Sequence, residues 1–96
     1  MRPGIEWDAR KAKLNWRKHG ISFEEAATVF DDPLAITFPD PDHSESEDRE
    51  IILGMSALGS TILIVVHVSR GDNLRIISAR RATKYERRSY EEGETH

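Results

Sequence analysis

Hydrophobic spacing in this chain changes twice, from every third or fourth residue to every second and back, and that pattern predicts a small α+β domain. Three observations carry the reading. Residues 7–32 hold two capped helical stretches, residues 34–79 hold four alternating or wholly apolar runs, and a helix start follows at Thr83. A length of 96 residues fits a single domain, residues 1–96, with about 91–96 expected to fray. A chain this short buries about 65% of the surface that its unfolded form exposes.

The elements follow in order. "IEW" at Ile5–Trp7 can add a short edge strand. Asp8 is placed to cap a helix, since its carboxylate accepts from unpaired backbone N–H groups at the positive end of the dipole. Trp7 and Ala12 stand at the positions of a hydrophobic staple, and Ala9, Ala12, Trp16 and His19 give a narrow buried stripe. Trp7 and Trp16 therefore read as core aromatics. Gly20 stops the helix because it tolerates left-handed backbone. Ser22 and Glu25 spell a capping box for a second helix, whose apolar face is Phe23, Ala26, Ala27 and Phe30, and Asp31–Pro33 ends it.

Strands come next. Leu34, Ile36 and Phe38 alternate, then "PDPDHSESED" forms an acidic loop. Ile51, Leu53 and Met55 alternate in a second run. "TILIVVHV" is apolar on both faces and marks a central strand, and "RGDN" turns into "LRIISA". Turns this short exclude parallel crossovers between these four and predict an antiparallel meander, with the helices covering one face. Thr83 and Glu86 form a further capping box that starts a C-terminal helix at Lys84.

Cysteine is absent, so neither a disulfide framework nor a thiolate metal site is available. The longest apolar run, Ile62–Val66, is far short of a membrane span, and the first ten residues have no apolar signal core. A soluble cytoplasmic domain without membrane contact is the expectation. The four histidines show no ligand spacing, so no metal and no cofactor is expected.

The formal net charge of −3 conceals segregation. Residues 1–20 carry six Lys/Arg against two acids, residues 31–50 one Arg against eight acids, and residues 67–90 seven Lys/Arg against two acids. If the termini fold near each other, the surface has a basic face and an acidic region. A solvated surface of mixed charge accounts for the same composition.

Three stretches stand together in this order: "EWDARKAKLNWRKHGISFEEAATVF", "DPDHSESEDREIILGMS" and "RIISARRATKYERRSY". Over nearly the whole chain they resemble the BrnT family of bacterial type II toxins. The resemblance implies a RelE-like fold, ribonuclease activity that halts translation, and neutralisation by a BrnA-type antitoxin. It further implies repression of the shared promoter, with DNA contacted only indirectly, through the antitoxin, and a dimer of toxin–antitoxin heterodimers as one assembly. One departure is visible: the family usually has an aromatic residue after the Arg of "EDR", where this chain has Glu50.

Cleavage of RNA through its 2′-hydroxyl needs a base, positive charge on the phosphorane and an acid for the leaving oxygen. Guanidinium suits the second task, being planar, permanently charged and bidentate toward phosphate. The cations divide into two groups. Arg80, Arg81, Lys84, Arg87 and Arg88 crowd the strand-to-helix junction, with Glu86 the single acid among them. Arg70, Arg75 and Arg49 belong to the other end, with His67 just inside it and His43 in the acidic loop. Ten residues of extended chain from Arg70 to Arg80 would span about 33 Å, too far for one small site.

Ion pairs between the acidic loop and Arg49, Arg70 and Arg75 would explain the second group, while an acid–base site of "DPDHSE" with Arg49 and Arg70, His43 or a carboxylate taking the proton, is the competing reading. RelE-like toxins place cations at the junction, so the resemblance favours Arg80 and Arg81 as catalytic residues, with Arg70, His43 and His67 as further candidates. Lys84, Arg87, Arg88 and Tyr85 are the RNA-binding candidates, Tyr85 either stacking on a base or packing on the sheet. His19 reads as a core or capping histidine. Two functions remain in view: a metal-independent endoribonuclease, and a non-catalytic module that binds a partner and assists repression.

Overall fold

The computed structural model describes residues 4–42 and 48–93. Its elements are β1 (Gly4–Trp7), α1 (Ala9–His19), α2 (Phe23–Ala27), β2 (Ile36–Pro39), β3 (Arg49–Met55), β4 (Ile62–Arg70), β5 (Asn73–Arg81) and α3 (Lys84–Glu91), with a single 3-10 turn at Thr28–Asp31. The α+β class holds. The sheet, however, is five-stranded and mixed, in the order β1-β5-β4-β3-β2. β2 to β5 form the antiparallel meander, but β1 adds to β5 in parallel, Gly4 beside Asn73 and Trp7 beside Ile76. The short front strand thus exists, and its direction corrects the purely antiparallel expectation. The meander's tight turns constrain only consecutive strands, whereas β1 reaches β5 with most of the chain between them.

Side-chain parity places the helices. Phe23, Ala26 and Val29 from the α2 region pack with Ile52, Leu63, Val65, Ile76 and Ala79 in one core, which Trp7 and Ala12 join from its edge. Leu53, Ile62 and Ile64 point the other way, into a smaller cluster with Ala82 and Tyr90. α1 and α2 therefore cover one face and α3 the opposite one. This corrects the expectation of helices on one face only. Each fully buried Leu, Ile, Val or Phe contributes about 1.5–3 kcal/mol relative to exposure.

Parity is reset by a bulge. Val66 pairs with Ser78 and His67 with Ile76, which leaves Ile77 without an opposite number. The extra residue lets Ile76 and Ala79, three apart, share one core.

Several predicted caps appear. Asp8 Oδ1 accepts from Arg10 N–H at 2.8 Å, and Gly20 ends α1 at φ +69°. At α2 only half the capping box forms: Ser22 accepts from Glu25 N–H, but the Glu25 carboxylate instead accepts from Ser56 Oγ–H at 2.8 Å. Leu34 precedes β2 and is exposed. Trp16 is 58% exposed and corrects the reading of a second core tryptophan.

The residue buried in its place is Asn15. β1 ends beside Ile76, so β5 has an open edge from residue 77 onward. Asn15 closes it, donating to Ala79 O at 2.8 Å and Ile21 O at 3.0 Å and accepting from Ala79 N–H at 3.0 Å. One carboxamide does locally what a neighbouring strand would do.

Candidate active site at the strand-to-helix junction

Arg80 and Arg81 are consecutive residues of an extended strand, so they face opposite sides of the sheet. Arg81 pairs with Leu63 of the larger core and turns toward α1, where Nη1 donates to His19 O at 3.2 Å. It covers the carbonyl end of α1, where a cation complements the dipole. Arg80 pairs with Ile64 of the smaller core and turns toward α3. The two guanidiniums are not brought together on one face.

Glu86 organises the α3 side. The Thr83–Glu86 capping box is complete: Thr83 N–H donates to Glu86 Oε1 at 2.8 Å and Glu86 N–H to Thr83 Oγ1 at 3.2 Å. The same carboxylate receives Arg80 end-on, Nη1 to Oε1 at 2.8 Å and Nη2 to Oε2 at 3.0 Å. Hydrogen bonding from Arg80, with help from Thr83 against the opposing effect of burial, holds the Glu86 carboxyl at about 2. Glu86 in turn raises Arg80 above the ordinary arginine value.

A guanidinium has five N–H groups. Among the described residues Arg80 commits three, two to Glu86 and one from Nη1 to Arg81 O at 3.2 Å. The two left are Nε–H and the Nη2–H beside it. Together they form the side-on fork, a pair of parallel donors matched to a phosphate. Arg80 keeps 40% of its side-chain surface exposed, and Glu86 fixes its orientation.

Glu86, which holds Arg80, also lines a groove of about 410 Å³ between sheet and α3, with Ile36, Phe38, Leu53 and Ile64 as floor and Tyr85 and Ser89 completing the wall. Tyr85 is 78% exposed, which decides against its packing on the sheet. Lys84, Arg87 and Arg88 are exposed along α3, and among the described residues none of them has a carboxylate partner. Deeper on this face Tyr90 donates to Asp32 Oδ2 at 2.6 Å. Burial and the Asp32 carboxylate push the phenol up to about 12. Burial alone would raise Asp32, but donation from Tyr90, Met55 N–H and Leu34 N–H outweighs it and leaves the carboxyl below its usual range.

The other cationic group is arranged differently. Arg75 donates from Nε to Glu6 Oε2 at 3.0 Å, so among the described residues its acid comes from β1. Hydrogen bonds from Asn73 and then Arg75 lower the Glu6 carboxyl, and Arg70 adds to the effect. Arg70 lies exposed at the β4–β5 turn. His43 lies outside the described residues. His67 is 3% exposed, stacks edge-on against Phe30 at 5.0 Å, and has no hydrogen-bond partner for either ring nitrogen among the described residues. Desolvation lowers it, partly offset by Glu50, which favours the neutral imidazole in this buried position.

The register corrects the separation of the two ends. Arg80 lies beside Ile64 and Arg70 beside Asn73, six residues further along β4. That is about 20 Å, shorter than the 33 Å of an extended chain because the hairpin turn falls between them, and still beyond one phosphate. His19 is half-buried, and its carbonyl rather than its ring meets Arg81.

Sequence reasoning missed the opposed directions of Arg80 and Arg81 and the second use of Glu86. Strand alternation carried the first signal, and the i, i+6 spacing across a capping box carried the second. No helix among the described residues is long and apolar enough to cross a membrane. A search among curated proteins gave no match. Residues 7–86 match the family model described as the ribonuclease toxin, BrnT, of type II toxin–antitoxin systems. That match runs from the last residue of β1 to the first turn of α3, including both halves of the Arg80–Glu86 clamp, and the chain belongs to the BrnT family of ribonuclease toxins.

Proposed function

We propose that the protein is a metal-independent endoribonuclease that stops translation by cutting RNA in the groove between α3 and the sheet. The observation that carries this reading is the side-on fork of Arg80, oriented by a Glu86 carboxylate that also lines a groove with an exposed aromatic ring. A fixed pair of donors stabilises charge as it develops on the phosphorane and needs no reorganisation during reaction. Tyr85 stacks on a base, and Lys84, Arg87 and Arg88 hold the backbone on either side. Arg81, on the opposite face, supports α1 and adds positive charge to the junction. A BrnA-type antitoxin restrains the enzyme and supplies the DNA contacts of the complex, a dimer of toxin–antitoxin heterodimers.

Cleavage of purified RNA in EDTA, with Arg80→Ala and Arg80→Lys beside the wild type, tests the reading. Loss of one such donor costs about 10²–10³ in rate, and the Lys variant, with charge but no fork, retains part of the activity. A requirement for divalent metal, or full activity in Arg80→Ala, refutes it. Arg70→Ala and His43→Ala are the contrast: if these abolish cleavage at unchanged thermal stability while Arg80→Ala does not, the site is at the other end of the sheet. Unimpaired growth on induction of soluble, folded protein without antitoxin supports the non-catalytic module instead.

A further inference from the structure

The cations of α1 take no part in the site above. Arg10, Lys11, Lys13, Arg17 and Lys18 lie on this 11-residue helix, which contains no carboxylate, and all five are exposed. Successive residues turn by about 100°. With Asn15 fully buried and Ala12 and His19 half-buried, Arg10, Lys13 and Arg17 point outward, with Lys11 and Lys18 to one side and Trp16 to the other. Among the described residues none of the five has an ion-pair partner. Arg10–Lys13 and Lys13–Arg17 stand at i, i+3 and i, i+4, where like charges repel and weaken a helix. Packing does not require them, since the cap at Asp8 and the Asn15 hydrogen bonds already hold α1.

Two large apolar side chains are exposed on the same surface, Leu14 at 55% and Trp16 at 58%. Trp16 borders an open slot of about 420 Å³ whose other walls are Ala12, Lys13, Ser22, Phe23 and Glu24. Glu24 is the one acid there. Cations spread over about 160° of the helix surface suit a flexible polyanion better than a rigid acidic helix, which would meet a single narrow stripe. An accessible indole beside a slot gives such a strand a stacking platform.

We propose that the outer face of α1 is a second RNA-binding surface, on which the strand leaving the β5–α3 junction is held by Arg10, Lys13 and Arg17 and stacks a base on Trp16. This inference rests on the RNA-cleaving reading above. Continuity supports it: Arg81 bonds the carbonyl of His19, so the last turn of α1 adjoins the junction that carries Lys84. RNA held at both places is gripped on both sides of the bond to be cut, which favours long, unpaired substrates.

The test measures binding of a 2′-O-methylated oligouridylate, which has no 2′-hydroxyl to react, by fluorescence anisotropy across a salt series. An Arg10→Gln, Lys13→Gln, Arg17→Gln triple variant should bind more weakly and lower the salt slope by about 2, since each single-strand phosphate contact contributes about 0.7. Trp16→Ala should weaken binding about five- to hundredfold with the slope unchanged. Arg10→Lys, Lys13→Arg, Arg17→Lys should restore the slope, which a merely misfolded helix would not. Wild-type affinity and slope in the triple variant overturn this inference and leave the active-site reading standing. Unchanged RNA binding with lost affinity for polyglutamate assigns the face to an acidic protein and also overturns it. Failure of the wild type to bind or cut any RNA removes the active-site reading itself.

Discussion

Replacing Asn15 by alanine should be among the most damaging single changes in the chain, although the residue touches no proposed substrate. It removes three hydrogen bonds at once, to Ala79 N–H, Ala79 O and Ile21 O. A buried backbone group left without a partner costs about 1–3 kcal/mol. Water can reach part of this strand edge once the carboxamide is gone, so a total near 3 kcal/mol is expected, at the low end of the range for three groups. A domain of this size has about 5–14 kcal/mol of stability in all. At about 4–8 °C per kcal/mol, the melting temperature should fall by about 12–24 °C. Thermal unfolding by circular dichroism gives the shift, and amide hydrogen exchange at Ala79 locates it, because that N–H should lose its protection. A fall under about 4 °C with Ala79 still protected would show that Asn15 does not close the edge of β5.

Three further outcomes follow from the titrating groups. Glu86 has a folded pKa of about 2, below the ordinary 4.5, so its stabilisation is present above 4.5 and disappears as pH falls toward 2. With solvent screening of this part-exposed pair the loss is about 1–2 kcal/mol, and Glu86→Gln should flatten acid unfolding in that window. His67, lowered by burial, works in a higher window: stability should begin to fall as pH drops below the unfolded value of about 6.5, and His67→Phe should abolish that slope in urea melts. Tyr90→Phe should destabilise by about 1–2 kcal/mol through loss of the bond to Asp32, and in the wild type ultraviolet titration should show one phenol ionising only near pH 12.

What the sequence shows of the fold is mostly local. Asp8, Ser22 and Thr83 mark their helix starts because a cap needs only its own next three residues, and the apolar run "TILIVVHV" identifies the central strand because burial on both faces leaves no alternation. Direction and sidedness are not local. "IEW" announces a strand, but nothing in those residues says that it runs parallel to β5. The side taken by α3 depends on the parity of β5, which one unpaired residue, Ile77, reverses. Apolar spacing points to Trp16 for the stripe, whereas the buried position one residue earlier is held by a polar side chain, Asn15, with a backbone to satisfy. The site divides the same way. The cluster of cations at the junction is plain in the sequence, while the clamp on Arg80 arises only when a strand residue and a capping glutamate meet across the turn between them.

The seam between the two ends of the chain also sets the order in which the molecule comes into being. Asn15 bonds a residue 64 positions later, Arg75 bonds Glu6 across 69, and Arg81 reaches back 62 to His19. At a synthesis rate of about 5–20 residues per second, the first helix waits about 3–12 s for the strand that completes it. Until β5 has left the ribosome, β1 has no neighbour, Asn15 no strand to hold, and the two basic segments no common surface. Contacts this distant form late in folding as well. The junction and the α1 end it is bonded to are therefore assembled only once nearly the whole chain is available.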